Sequence, residues 1–185
     1  MRSPLKHSLA LIIIYTISFL VVISTASGEE FIPPVSDNKT LSANDGGPDG
    51  CDSSRFKCVM EGKAVLDKQT GLTWARNANI FEKAVPYEEA AKLCQNVDIG
   101  GKKDWRLPTR DELIVLLDTS QTNPALPEGH PFNNLLLLVG NGDYWTCTEC
   151  EGDSKSAWIV RMQSGKVMDS YKVLDAGIWP VRGGN

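Results

Sequence analysis

Histidine is nearly missing from this chain of 185 residues; only His7 and His130 are present. A Cys/His zinc set or a histidine-based nucleophile would have to use one of them. His130 sits in "EGHPF" (128–132), a loop setting without a G-x-S-x-G motif, and reads as a surface histidine. Basic surplus is also lacking: 19 Lys and Arg face 23 Asp and Glu, a net charge of -4 with no basic stripe. Nucleic acid is therefore not an expected partner. No internal repeat is visible. Acids are plentiful, but no spacing singles out a pair for glycoside hydrolysis, and no catalytic set is expected.

Long apolar runs are confined to the start. Arg2 and Lys6 precede the stretch from Leu9 to Ile23, and small residues follow in "STASG" (24–28). That order predicts a secretory signal over residues 1–28, short for a spanning helix, with membrane contact only if it stays uncleaved. No cysteine marks a lipoprotein cleavage point. The expected location is the periplasm, the cell surface or the medium, where disulfides are permitted. Residues 29–50 are rich in Pro, Gly, Ser, Asn and Asp and read as a flexible linker, with an N-glycosylation pattern at 38–40. Residues 51–185 remain for one folded domain.

Five cysteines lie in that domain, an odd number, so at least one thiol is left over. Cys51 and Cys58 enclose a short loop and are expected to pair. Cys147 and Cys150 form a C-x-x-C without a second such pair, and a structural disulfide is the favoured reading over a redox or zinc role.

Short strand-like pieces ("RFKCVM", "AVLD", "LTWAR") open the domain. Ala90, Leu93, Cys94 and Val97 recur at helical spacing, with Pro86 at the first position and Glu88 and Glu89 in the first turn. Thr109 and Glu112 make a capping box, and Pro108 stops the helix extending backwards. A loop-like stretch from Thr119 to Gly142 follows. The end alternates again, with "QSGK" as a hairpin turn. Strands, two helices, a long loop and more strands describe an α+β fold with a largely antiparallel sheet.

Six ordered blocks, "VLDKQTGLTWARN", "YEEAAKLCQ", "DWRLPTRDEL", "YWTCT", "SAWIVRM" and "VRGG", resemble the Lcl C-terminal domain family. The resemblance covers residues 55–184. It implies a C-type-lectin-like fold of the formylglycine-generating-enzyme type, with two helices against a small twisted sheet and the chain ends close together. It also implies a secreted or surface protein; the adhesin that names the family is implicated in binding sulfated polysaccharides. Members often carry a cysteine before "VRGG" that could pair with the helix cysteine. Here that place reads "WPVRGG", which leaves Cys94 as a buried free thiol or, since "YWTCT" replaces the usual "YWSST", a partner for Cys147 with Cys150 free.

Trp74, Trp105, Trp145, Trp158 and Trp179 could stack on sugars if exposed, but tryptophans in strand blocks usually belong to the core. Arg106 and Arg182 are placed to pair with Asp104, Asp111 or Glu112 and so fix packing. A ligand site is expected on the long loop and the loop after it, where Asn133, Asn134, Asn141, Asp143, Glu149, Glu151 and Asp153 offer oxygens to sugar hydroxyls or calcium. No other cofactor is expected. The acidity argues against tight binding of sulfated glycans. The sequence thus points to an exported, non-catalytic module that binds carbohydrate or an envelope partner, with a structural interaction domain as the alternative and a thiol or formylglycine-type enzyme third.

Overall fold

The computed structural model describes residues 51–137 and 142–183. The signal segment, the linker and Asn141 lie outside the described residues. Seven strands and two helices follow in the order β1 (Phe56–Val59), β2 (Ala64–Asp67), β3 (Thr73–Ala75), α1 (Tyr87–Asn96), α2 (Arg110–Leu116), β4 (Asp143–Cys150), β5 (Asp153–Arg161), β6 (Lys166–Tyr171) and β7 (Val181–Arg182). The class is α+β, as expected. The expected single sheet is instead two antiparallel ones, ordered β1-β2-β3-β7 and β4-β5-β6.

The split has a local cause. β4 spends its outer edge on irregular chain: Trp145 donates to the Gly177 carbonyl at 3.1 Å, and Cys147 to that of Pro108 at 2.7 Å. With those groups engaged, β4 has no ladder left to offer β7, which pairs with β3 through Trp74↔Val181. The C-terminal strand thereby returns to the sheet that holds the first strands of the domain.

The core falls into two apolar clusters, the first of them shared by strands of both sheets. In the first, Trp179 meets Trp74 at 5.5 Å, Phe132 at 4.9 Å and Tyr144 at 5.6 Å between ring centroids. The Trp179 indole N–H satisfies the Ala75 carbonyl at 2.8 Å, so the ring is buried at no polar cost. In the second, α1 lays Tyr87, Ala90 and Cys94 against Trp145, Ala157 and Ile159. Pro86 stands at the N-cap of α1, one place earlier than expected, and offers no side-chain cap.

α2 is short but well started. The Thr109 hydroxyl accepts from the Glu112 N–H at 3.1 Å, and the Glu112 carboxylate accepts from the Thr109 N–H at 2.7 Å. Both halves of the capping box are therefore made, and Leu113 and Leu116 turn inward.

Candidate functional site

The "DWRLPTRDEL" corner is a closed polar network. Arg106 forks onto both oxygens of Glu112 at 2.7 Å each and reaches the Gly183 carbonyl at 2.8 Å. Arg182 forks onto Asp104 at 3.0 and 2.7 Å. Burial pushes the Glu112 carboxyl up, but the Arg106 fork and the Thr109 N–H outweigh it and hold it below the usual carboxylate range. The hydrogen bond from Arg182 likewise lowers Asp104. Trp105 is buried with its indole N–H on the Lys102 carbonyl at 2.9 Å. Asp104, Arg106, Thr109, Glu112 and Arg182 together hold the C-terminal strand, the entry to α2 and the chain before it. Arg106 and Arg182 each span the molecule to residues more than 70 positions away.

The loop residues expected to bind ligand are not brought together. Asp143 pairs with Arg161 at 2.7 and 3.0 Å, and Glu149 pairs with Lys172 at 2.6 Å. Asp153 accepts from Ser156 and the Lys155 N–H, and these bonds depress its pKa. Glu151 is exposed in the turn between β4 and β5, and Asn134 is exposed with φ at 53°. Among the described residues no group of three His, Cys, Asp or Glu side chains could hold a metal ion. The tryptophans give no platform either: four are fully buried, and the half-buried Trp158 lies under the Arg110 guanidinium at 5.0 Å.

Asn133 lines a cavity. About 360 Å³ opens between the β1–β2 turn, the end of β3 and the turn at 98–101, with Lys63, Arg76, Asn77, Ile80, Ile99 and Asn133 on its walls. That volume lies within the range of about 300–1,000 Å³ usual for small-ligand sites. Backbone pairing fixes Asn133: its N–H donates to the Arg76 carbonyl, and its own carbonyl accepts from Ala78, both at 3.0 Å. The Arg76 Nε donates to the Pro131 carbonyl at 3.0 Å, which ties the long loop to the same wall. Asn77 uses its side-chain oxygen on the Asn79 N–H at 2.9 Å, leaving its amide nitrogen for the cavity. The lip is glycine for a reason. Gly100 has φ at 63°, and a Cβ there would stand 2.6 Å from that of Met60. Asp98 pins this turn by accepting from the Gly101 N–H at 2.9 Å.

A second, more open hollow of about 300 Å³ lies beside Leu72, Thr109, Glu112 and Val115. Its best polar groups are already spent in the capping box.

Cys51 and Cys58 are joined in a disulfide, whereas Cys94, Cys147 and Cys150 are free. The expected Cys147–Cys150 bridge is therefore corrected. The two stand three places apart on β4, across shifts in its register with β5, and they meet different groups. Cys147 lies near Arg106 and Glu112, while Cys150 lies near Asp169 and Asp153. Burial raises the Cys94 thiol to about 12, which removes it from thiolate chemistry near neutral pH. His130, expected on the surface, is instead partly buried: it stacks on Phe132 at 5.9 Å, and burial lowers its pKa.

Two sheets, two helices and a clamped "DWRLPT" corner define a small α+β domain whose polar motif serves architecture. The chain belongs to the Lcl C-terminal domain family, whose model matches residues 63–182. None of the curated proteins matches the chain.

Proposed function

We propose that this protein is an exported, non-catalytic binding module that takes a carbohydrate into the cavity at Asn133. The observation that carries the reading is the unspent amide of Asn133 on the wall of that cavity, beside the half-spent amide of Asn77. Amides present a donor and an acceptor together, the pattern a pair of sugar hydroxyls matches. Ile80 and Ile99 offer apolar surface for the C–H face of a ring. Asp98 is the single acid among the lining residues and is spent on the Gly101 N–H, so no acid pair stands there for catalysis. Glu149 and Asp153, on either side of the β4–β5 turn, are engaged with protein partners, which supports binding without calcium.

Export is supported by the charged and apolar N-terminal pattern, by the Cys51–Cys58 disulfide, and by the lack among the described residues of a helix long and apolar enough to cross a membrane. A second reading, an envelope protein–protein module, draws on one observation. Tyr171, Val173 and Leu174 expose 62%, 81% and 54% of their surface at the end of β6, an apolar tip with no cover among the described residues.

A glycan array probed with the secreted chain tests the proposal, with Asn133→Ala as the control. Saturable binding to one sugar class, lost in the variant, is the expected result. A silent array would transfer the proposal to a protein partner on the apolar tip, with Val173→Asp as the variant for a pull-down.

A further inference from the structure

We infer that the cavity at Asn133 takes an N-acetylated sugar and reads its acetamido group. The inference rests on the carbohydrate reading above and narrows it to one chemical class.

The two amides on the walls are held as a pair. Asn77 and Asn133 form a parallel bridge, in which the Asn133 N–H donates to the Arg76 carbonyl and the Ala78 N–H to the Asn133 carbonyl, each at 3.0 Å. Residues paired in this way lie roughly 5 Å apart and send their side chains to the same face. What is left to each of them differs. The Asn77 oxygen already accepts from the Asn79 N–H at 2.9 Å, so its remaining nitrogen can only donate. The Asn133 side chain has no partner among the described residues and offers an acceptor as well as a donor.

An acetamido group presents a carbonyl oxygen, an N–H and a methyl. The Asn77 nitrogen suits the carbonyl, the Asn133 oxygen suits the N–H, and Ile80 and Ile99 on the same walls suit the methyl. A bare hydroxyl in that place would satisfy an amide but leave the isoleucines facing a polar group.

Charge favours the same class. The cations on the walls, Lys63 and Arg76, are matched in number by Asp98 on the wall and by Glu61, which stands 3.7 Å from Lys63. Asp98 is spent on the Gly101 N–H and the Arg76 Nε on the Pro131 carbonyl, so an uncharged ligand fits better than an acidic one. The walls are also set in advance. Met60 and Glu61 hold φ at 54° and 57° in the β1–β2 turn, a left-handed conformation uncommon for such residues. That turn carries Gly62 and Lys63 to the cavity, and the Arg76 N–H fastens it by donating to the Lys63 carbonyl at 3.0 Å. Backbone strain of this kind clusters at ligand sites. A volume of about 360 Å³ stands near the small end of the usual range, so one sugar unit is the expected occupant.

Calorimetric titration of the secreted chain decides the matter. The probes are chitotriose (N-acetylglucosamine units), cellotriose (the same linkage without acetamido groups) and trigalacturonic acid (a carboxylated sugar). Chitotriose should bind about tenfold or more tightly than cellotriose, the scale of one matched group in a partly apolar pocket. Asn77→Asp keeps an oxygen for the Asn79 N–H but replaces the donor nitrogen by an acceptor. It should erase the preference for chitotriose at an unchanged melting temperature, and Ile80→Ala should reduce it. Equal affinity for chitotriose and cellotriose, tighter binding of trigalacturonic acid, or a preference that survives Asn77→Asp would overturn the acetamido assignment and leave the cavity reading standing. Failure of all three probes, beside binding of another sugar that Asn133→Ala abolishes, would do the same. Binding of no sugar at all would remove both.

Discussion

The corner at 104–112 and the cavity at Asn133 are made of the same material, polar side chains carried on irregular chain, yet they spend it differently. At the corner Arg106, Arg182, Asp104, Thr109 and Glu112 satisfy one another or the backbone. At the cavity the backbone of Asn133 is engaged on both sides, but its side chain has no partner among the described residues, and Asn77 keeps its nitrogen. Satisfied groups build a fold; positioned and unsatisfied ones are available to a ligand. The most recognisable motif of the chain therefore marks architecture, and the plainer residues mark the site.

That contrast can be broken by substitution. The largest effect is expected at Trp105, buried with 2% of its surface exposed. Trp105→Ala should cost about 3–5 kcal/mol, read by denaturant unfolding, because a large ring leaves a cavity behind. Arg106→Ala comes next, at about 2 kcal/mol, since it strands the half-buried Glu112 and frees the Gly183 carbonyl. Its folded fraction should still bind ligand with unchanged affinity; a selective loss of affinity at constant melting temperature would reverse the assignment of corner and cavity.

Acid should sharpen the same contrast. Glu112 and Asp104 are held below the usual carboxylate range. A depressed carboxyl stabilises the folded state above its unfolded pKa, about 4, and that stability is lost as the pH falls through the lower folded value. Thermal melts should hold steady above about pH 5 and fall below about pH 4. In Arg106→Ala the fall should be shallower, because the fork that depresses Glu112 is gone; an identical acid slope in both proteins would contradict it.

Smaller still is Asn133→Ala, which should leave stability within about 0.5 kcal/mol, as for an exposed side chain without partners, while weakening ligand binding roughly tenfold or more. Chelator should change nothing, in melting or in binding, since Asp143, Glu149 and Asp153 have protein partners and Glu151 stands without a second free acid beside it among the described residues.

Much of the corner was legible in the sequence because it is local. The capping box lies within four residues and the Cys51–Cys58 loop spans few more, so spacing alone identified both. α1 was legible from its period, and the arginine–carboxylate pairs from the few acids near them. The cavity was not, because its walls come from turns at 62–63, 76–80, 98–101 and 133 that no spacing relates. Asn133 was named as one of seven loop residues, but only the bridge to Asn77 distinguishes it from Asn134 next door. Cross-strand and cross-turn partners such as Arg161 and Lys172 likewise removed Asp143 and Glu149 from the site without any local sign. The division into two sheets rested on the outer edge of β4 being taken by the Pro108 and Gly177 carbonyls, again distant in sequence.

The most direct test is glycan-array binding of the secreted chain and its Asn133→Ala variant, matched for melting temperature. Binding to one sugar class by the wild type, abolished in a variant that melts at the same temperature, is the predicted result. Equal binding by both proteins would contradict the account and move the ligand away from the cavity.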